Sequence, residues 1–425
     1  MIDLTKFDEW FEDNGPAALV IREHLVPVEG TDGVFFPATY APQLGADRDK
    51  EKFQGGYNID RFPDGTNVCL VDSVGSQANR IEPLFAQEGY DDLVPQIVVT
   101  FPTNGIRLNL LHANHRAADA IFRCSAFEQE LRTAFQERLR GNFEKLAQFA
   151  PTSLVFGVWD SRDTSAKVPR LLASTIRAFN VREHTRSANF LTQMTVDLAK
   201  LDILPGAGSK EGFANALDSK APGGVQLMPN GSIRRDITVS LAALRRLVVL
   251  EADGTLSTDR TKKLRRYILG LTLVALTAPI DPFLRQGCNL VPNADAPKEF
   301  KLVNLDGTRP DFALSHADAV EYAREAMTKF GIQSSKEQPF NASIAEKASE
   351  VKPERMNGAE VMSVDADGSK FKVKFKQKDF EISRREDTAV KKGKDQAEFE
   401  AVVTVGAKLN LEVLNGVAIS ITAKK

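Results

Sequence analysis

Cysteine, tryptophan and histidine are scarce in this chain of 425 residues, at 3, 2 and 5 copies. Cys69, Cys124 and Cys288 lie far apart and form no CxxC pair, which excludes a disulfide framework and a paired-cysteine zinc site. Such usage fits a reducing compartment, and a cytoplasmic location is expected. Also missing is any charge excess: 55 Lys and Arg stand against 57 Asp and Glu, for a net charge of -2. A free-standing nucleic-acid binder is far more basic, so loose, nonspecific binding is excluded as the main activity, whereas a local basic groove is not. No apolar run reaches the ~18 residues of a membrane span. The longest, Ile268 to Ala278, is interrupted by Gly270, stopped by Pro279, and reads as a buried core helix. The acidic start, MIDLTKFDEWFEDNG, has no signal-peptide pattern, and no membrane partner is expected.

What is present suggests one elaborated α+β domain and a tail, since single cores stop growing near ~250–300 residues. The domain is placed at 1–343, with excursions rich in Gly, Pro and charge near 40–66 and 203–235. A polar boundary at 345–360 opens a small β element at 344–425. Residues 17–28 alternate like a strand, and 93–111 read as a hairpin around Thr103, Asn104 and Gly105. From Ala117 to Phe149 the apolar spacing becomes helical. Leu154–Trp159 returns to strand character, Val168–Phe179 reads as helix, and further helices are expected over Ser240–Leu250 and Thr258–Thr277.

The stretch DSVGSQANRIE, Asp72 to Glu82, carries the most chemistry. It follows the apolar run Val68–Val71, and a strand that runs into a serine and a glycine before a helix aims backbone N–H groups at one point, where an anion such as phosphate is favoured. Ser73 or Ser76 can cap that helix, and Arg80 lies one turn beyond Ser76 on the same face. An ordinary capped helix with a polar outer face fits the same pattern. Pro83 requires the helix to be short or to restart there.

This stretch resembles a segment of the RAMP-type backbone subunit of type I-G (formerly I-U) CRISPR Cascade effector complexes. Other blocks similar to that family follow in its order: LVPVEG, FFPATYA, YNID, HRAADAIFR, VFGVWDS, KVPRLLASTIRA, TRSA, then LRRYILGLTLVAL with FLRQGCNLV, over roughly residues 15 to 295. The resemblance implies a modified RRM-like (ferredoxin-like) palm with large insertions and a thumb-like hairpin. It also implies a noncatalytic subunit that binds CRISPR RNA, associates head to tail with copies of itself and with other Cascade subunits, and presents the spacer to target DNA. Ser73, Ser76, Gln77, Asn79 and Arg80 are then expected to contact phosphate and sugar, with Arg162, Lys167 and Arg170 beside them and Trp159 packing beneath or stacking on a base. The 203–235 excursion would be the thumb, with Leu227, Met228 and Ile233 as wedge and Arg234 and Arg235 as phosphate grip.

No catalytic residue, cofactor or metal is expected. His112 and His115 are three apart but lack a third ligand of sensible spacing, and Asp60, Asp72 and Asp160 would form a carboxylate site only if the fold gathered them. A RAMP-superfamily endoribonuclease using His24 or His184 is the alternative, although no Ser, Lys and His constellation recurs near either. In the tail, Phe371, Val373 and Phe375 alternate with Lys372, Lys374, Lys376 and Lys378, placing the lysines on one side. A solubilising face or protected sheet edge explains such a stripe most simply; a cationic surface for DNA or a neighbouring subunit is the other reading.

Overall fold

Alternation in ALVIREHLVP builds the first strand, β1 (Ala18–Pro27), with Leu19, Ile21, Glu23 and Leu25 buried and Arg22 exposed between them. The computed structural model to which it belongs describes residues 3–42, 53, 55–102, 105–190, 216–349, 354–365, 368–393, 395–414 and 417–423. The chain is mixed α/β with several antiparallel sheets, and it divides into two units, Met1–Phe340 and Asn341–Lys425.

In the first unit β1 is followed by β2 (Asn67–Asp72), α1 (Val74–Ile81), β3 (Leu172–Phe190), β4 (Ala216–Ser240), α2 (Thr258–Thr277), β5 (Cys288–Pro292), β6 (Glu299–Val303) and α3 (His316–Phe330). The sheet runs β5 and β6, then β1, β4, β3 and β2, antiparallel throughout; β5 pairs with one end of β1 and β6 with the other. One face is buried along its length. Leu19, Ile21, Leu172, Ile237 and Val239 pack with the helices, and Leu25, Ile176, Ala178 and Ile233 pack with Phe35, Leu284 and Leu290. α2 is buried nearly all round in its C-terminal two-thirds, as the Ile268–Ala278 run implies, and no described helix is long and apolar enough to cross a membrane.

Several expectations hold. β1 and α2 fall where periodicity places them, and 117–149 forms helices at Ala120–Arg123, Glu128–Leu139 and Glu144–Phe149. α1 stops at Ile81, and Pro83 opens a 3-10 turn at Glu82–Ala86. Strands Ile97–Thr100 and Arg107–Asn109 pair, although Thr103 and Asn104 of the expected turn lie outside the described residues.

Others are corrected. Most of Val168–Phe179 is strand: Leu172, Ser174, Ile176 and Ala178 point inward, and pairing with β4 and β2 on either side overrides the helix propensity of its Ala, Leu and Arg. Of Leu154–Trp159, expected as strand, only Val158–Trp159 is extended; Leu154–Phe156 belongs to the helix Thr152–Phe156, which is buried on every side, so its apolar run had no period to read. The helix expected over Ser240–Leu250 is limited to Leu241–Leu244, capped by the Ser240 hydroxyl. From Ala216 onward the supposed loop at 203–235 is β4, while 203–215 lie outside the described residues. Its glycines sit where backbones cross. A Cβ on Gly223 would lie 2.7 Å from the carbonyl carbon of His184, and the Gly224 amide, at φ +96, donates to the Tyr57 hydroxyl at 2.9 Å. Between the pairs Phe179–Ser232 and Val181–Leu227, residues 228–231 bulge out with Met228 exposed, whereas Ile233 is buried.

The second unit contains β7 (Glu354–Val364), β8 (Lys370–Phe375), β9 (Lys378–Lys392), α4 (Phe399–Val402), β10 (Lys408–Leu414) and β11 (Val417–Ala423). Its core is Met356, Val361, Phe371, Val373, Ile382, Phe399, Leu409, Leu411 and Ile421 among others. Lys372 and Lys374 share the outer face as expected, but Lys376 and Gln377 form the turn, at φ +48 and +64, and Lys378 begins the next strand.

Candidate nucleic-acid interface

Asp72 ends β2 with its side chain wholly buried, 0 % exposed, so its charge must be met inside the fold. Oδ1 accepts hydrogen bonds from the Ser76 hydroxyl at 2.8 Å and an Arg285 Nη at 2.9 Å; Oδ2 accepts from Gln77 Nε2 at 2.7 Å and Arg80 Nε at 3.1 Å. Arg80 also donates to the Leu284 carbonyl, Arg285 to the Val71 carbonyl at 3.0 Å, and Ser174 to the Gln77 side-chain oxygen at 2.8 Å. Ser73 caps α1 by accepting from the Ser76 amide.

The serine motif therefore turns much of its chemistry inward. Ser76, Gln77 and Arg80 serve one carboxylate, Gln77 is buried, and Arg80 keeps only part of its guanidinium toward solvent. Asn79 is exposed at the other edge, where its oxygen accepts from Arg116 Nη2 at 3.2 Å. Arg116 has a left-handed backbone, φ +51, and a buried side chain whose Nε lies 2.6 Å from Glu82 Oε2. Burial pushes the Glu82 carboxyl up to about 7 despite that neighbour, and its Oε1 has no hydrogen-bond partner. A folded-state value above the unfolded one near 4.5 means that the folded chain holds the extra proton. This stabilising contribution is full below about pH 4.5 and lost as pH rises through about 7. Glu82→Gln is expected to flatten the decline in stability between those limits, as measured by urea unfolding at several pH values.

Arg116 connects the motif to the second predicted group. Its Nη1 donates to the Gly157 carbonyl at 3.3 Å, and Gly157 lies so close to Arg170 that a Cβ there would sit 2.9 Å from the Arg170 amide nitrogen. Val158–Trp159 pairs with Lys167–Val168, and Asp160 is buried, fixing the intervening turn by accepting from the Thr164 amide and hydroxyl. Arg162, Lys167 and Arg170 are exposed, and Lys167 Nζ stands 5.4 Å from the ring centroid of Trp159, itself 60 % exposed.

Arg234 and Arg235 point to opposite faces of β4. Arg235 is 4 % exposed, with an Nη 2.8 Å from Glu23 Oε2, so it stands in the interior rather than on a surface grip. It lines a cavity of about 440 Å³ with Gln77, Arg80, Leu84, Tyr90 and Leu284. Arg234 lies on the open face between His24 of β1 and Arg177 of β3, its register partners. Its guanidinium sits 4.6 Å from the Phe179 ring centroid, and its Nε 2.9 Å from Asp236. Arg177 has no ion-pair partner among the described residues. Asp236 thus partly neutralises Arg234, and Arg177 is left as the cation of this row that an anion laid across the sheet can pair with.

Sequence reasoning missed Arg285, Arg116 and Arg177: the first two meet their partners through long-range folding, and the third was assigned to a helix. The inward turn of the motif did have a signal. Ser76, Gln77 and Arg80 follow Asp72 by four, five and eight residues, one helical face aimed back at the carboxylate. Among the described residues no group of three or more His, Cys, Asp and Glu is placed to hold a metal ion.

These features describe a mixed α/β protein whose main sheet buries one face and keeps a basic row on the other. Residues 19–183 match the family model described as CRISPR-associated protein GSU0053, a span from β1 through the serine motif and the Trp159 hairpin into β3. The match indicates a CRISPR-associated protein. No curated protein matches the chain.

Proposed function

We propose that this chain is a noncatalytic CRISPR RNA-binding backbone subunit of a type I-G Cascade complex, assembling head to tail along the guide and presenting it to target DNA. The observation that carries the reading is the basic row His24, Arg234 and Arg177 on the open sheet face, inside a chain that matches a CRISPR-associated family model. With β2 taken as an added edge strand, the order of β5 and β6, β1, β4 and β3 supports reading the sheet as a split βαβ, RRM-like palm. That fold class lays single-stranded RNA on the sheet face opposite its helices. The β3–β4 hairpin, paired from Leu172–Val239 out to Phe190–Ala216, takes the part of the thumb.

Guide binding of this kind neutralises phosphates and leaves base edges free, because pairing reads the sequence. Arg177, Lys167 and Arg170 suit that task, being surface cations without ion-pair partners among the described residues. The triple variant Arg177→Ala, Lys167→Ala, Arg170→Ala is expected to weaken CRISPR RNA binding and to reduce the slope of log affinity against log salt by about 0.7 per lost phosphate contact. Fluorescence anisotropy across a salt series reads both quantities, and a gel of the same incubations reads RNA integrity. Unchanged affinity and slope would remove this surface from the interface. RNA cut by the purified chain, and left intact after a histidine substitution, would point to the endoribonuclease instead.

A further inference from the structure

On the helix-covered face of the main sheet, opposite the basic row, the cavity of about 440 Å³ lies between β4, α1 with the turn that follows it, the end of α2 and the segment Ile280–Leu284. Its size falls within the ~300–1,000 Å³ of small-ligand sites. Two guanidiniums line it. Arg235 is 4 % exposed, and its Nε has no hydrogen-bond partner among the described residues. Arg80 donates through Nε to Asp72 and through one Nη to the Leu284 carbonyl, and its other Nη has no partner among the described residues.

Cations outnumber the acids behind these groups. Glu23, itself buried, is shared by Arg235, 2.8 Å from Oε2, and Lys298, 3.8 Å from Oε1. Asp72 is shared by Arg80 and Arg285. Asp281, the acid of the lining, is exposed and accepts from the Phe283 amide. Even with Asp281 counted, one positive charge is left in excess. A buried donor without an acceptor costs free energy that an anion in the cavity recovers.

The remaining walls define what that anion is attached to. Ile81, Leu84, Ala275 and Leu284 give apolar surface, and Tyr90 offers an oxygen whose role its neighbours fix. The Thr277 hydroxyl donates to the Leu273 carbonyl at 2.8 Å, so His316 Nδ1, 2.8 Å from that hydroxyl, is the donor of its pair. His316 Nε2 is then an acceptor, and the Tyr90 hydroxyl donates to it at 2.9 Å. What Tyr90 keeps for the cavity is lone pairs, suited to an N–H of the ligand. At the rim, exposed Gln87 carries a side-chain amide without a partner among the described residues, a donor beside an acceptor, as a nucleobase edge requires.

We propose that this cavity binds a nucleoside monophosphate, its phosphate held by Arg80 and Arg235, its base against Leu84 and Ala275, and its base edge at Tyr90 and Gln87. Guanidinium forks match phosphate oxygens in charge and geometry. The site does not rest on the guide-binding reading of the open sheet face.

Isothermal titration of the full-length chain compares adenosine 5′-monophosphate (AMP), adenosine, inorganic phosphate and the 5′-phosphorylated dinucleotide pApA. AMP is expected to saturate at a single molecule per chain and to bind at least about tenfold more tightly than adenosine or phosphate, as charge-assisted hydrogen bonds joined to a buried base require. The dinucleotide separates two sources of one chemistry: affinity equal to that of AMP identifies a strand end, and weaker affinity the free nucleotide. Gln87→Ala, at an exposed position, should keep the wild-type melting temperature and weaken AMP by about threefold or more. Arg235→Lys keeps a cation for Glu23 but removes the fork, and Ala278→Phe fills the cavity from its half-buried rim; each should weaken AMP by at least about tenfold. The Arg177, Lys167, Arg170 variant should bind AMP as the wild type does, so failure of guide binding leaves this result standing. Absence of saturable AMP binding, adenosine or phosphate matching AMP, or wild-type affinity in the Gln87 and Ala278 variants would each overturn the proposal.

Discussion

Asp72→Ala is expected to cost about 3–5 kcal/mol of folding stability, the range for removing one member of a buried, hydrogen-bonded charge set. Four donors converge on this carboxylate: the Ser76 hydroxyl, the Gln77 amide and the guanidinium groups of Arg80 and Arg285. Alanine leaves two guanidiniums without their counterion at a site where Asp72 itself has no exposed surface. Asn at this position preserves the shape and one acceptor oxygen but not the charge, and it should fall between the wild type and Ala. With a typical domain stability of about 5–15 kcal/mol, the loss is a large share of the whole. Urea unfolding monitored by tryptophan fluorescence and far-UV circular dichroism reads it. A midpoint within experimental error of wild type would mean that the donors find other partners, and that the hub does not hold α1 against β2 and the Leu284–Arg285 segment.

That hub shows where sequence reading succeeds and where it stops. Local pattern carries β1, because its alternation matches the pleat, and α2, because a charged first half leads into the apolar run Ile268–Ala278, which Pro279 stops. The cap at Ser73 and the break at Pro83 are also local, decided by φ, ψ and one hydrogen bond. The orientation of Gln77 and Arg80 is not. It depends on Arg285, 213 residues beyond Asp72, which completes an inward-facing charge set and draws the motif away from solvent. Similarly, Arg234 and Arg235 look equivalent as neighbours in sequence, yet the pleat sends them to opposite faces, one into an ion pair with Glu23 and one onto the open sheet. The misread of β3 has the same origin. Ala, Leu and Arg favour helix when alone, and only the presence of β2 and β4 on both sides makes the extended form lower in free energy. In the tail the lysine alternation is visible, but the pairing of β8 with both β7 and β9, which sets Glu360 and Asp379 on either side of Lys374, is not, since register is a property of several strands together.

Gly270→Leu is expected to be the most disruptive substitution in the helical layer. A Cβ at Gly270 would lie 2.7 Å from the Cα of Ala323 and 3.1 Å from its Cβ, so α2 and α3 approach each other backbone to backbone at this point. The buried face of α3 is made of Ala319, Tyr322, Ala323 and Ala326, three of them small enough to allow that approach. A leucine cannot be accommodated by a rotamer change, because the obstacle is main chain; the helices must separate, and α2 is also held by the Tyr267 hydroxyl, which donates to the Leu93 carbonyl at 2.9 Å. Overpacking in a close-packed core typically costs about 1–3 kcal/mol, and this contact belongs at or above the upper end. Gly270→Ala separates the two effects, since it adds about 1 kcal/mol of helix propensity while introducing a single clashing methyl group. It should therefore destabilise less than Leu, and the order wild type, Ala, Leu in thermal midpoint checks the geometry. An alanine variant more stable than wild type would show that the helices have room to part, and that Gly270 is not what sets their distance.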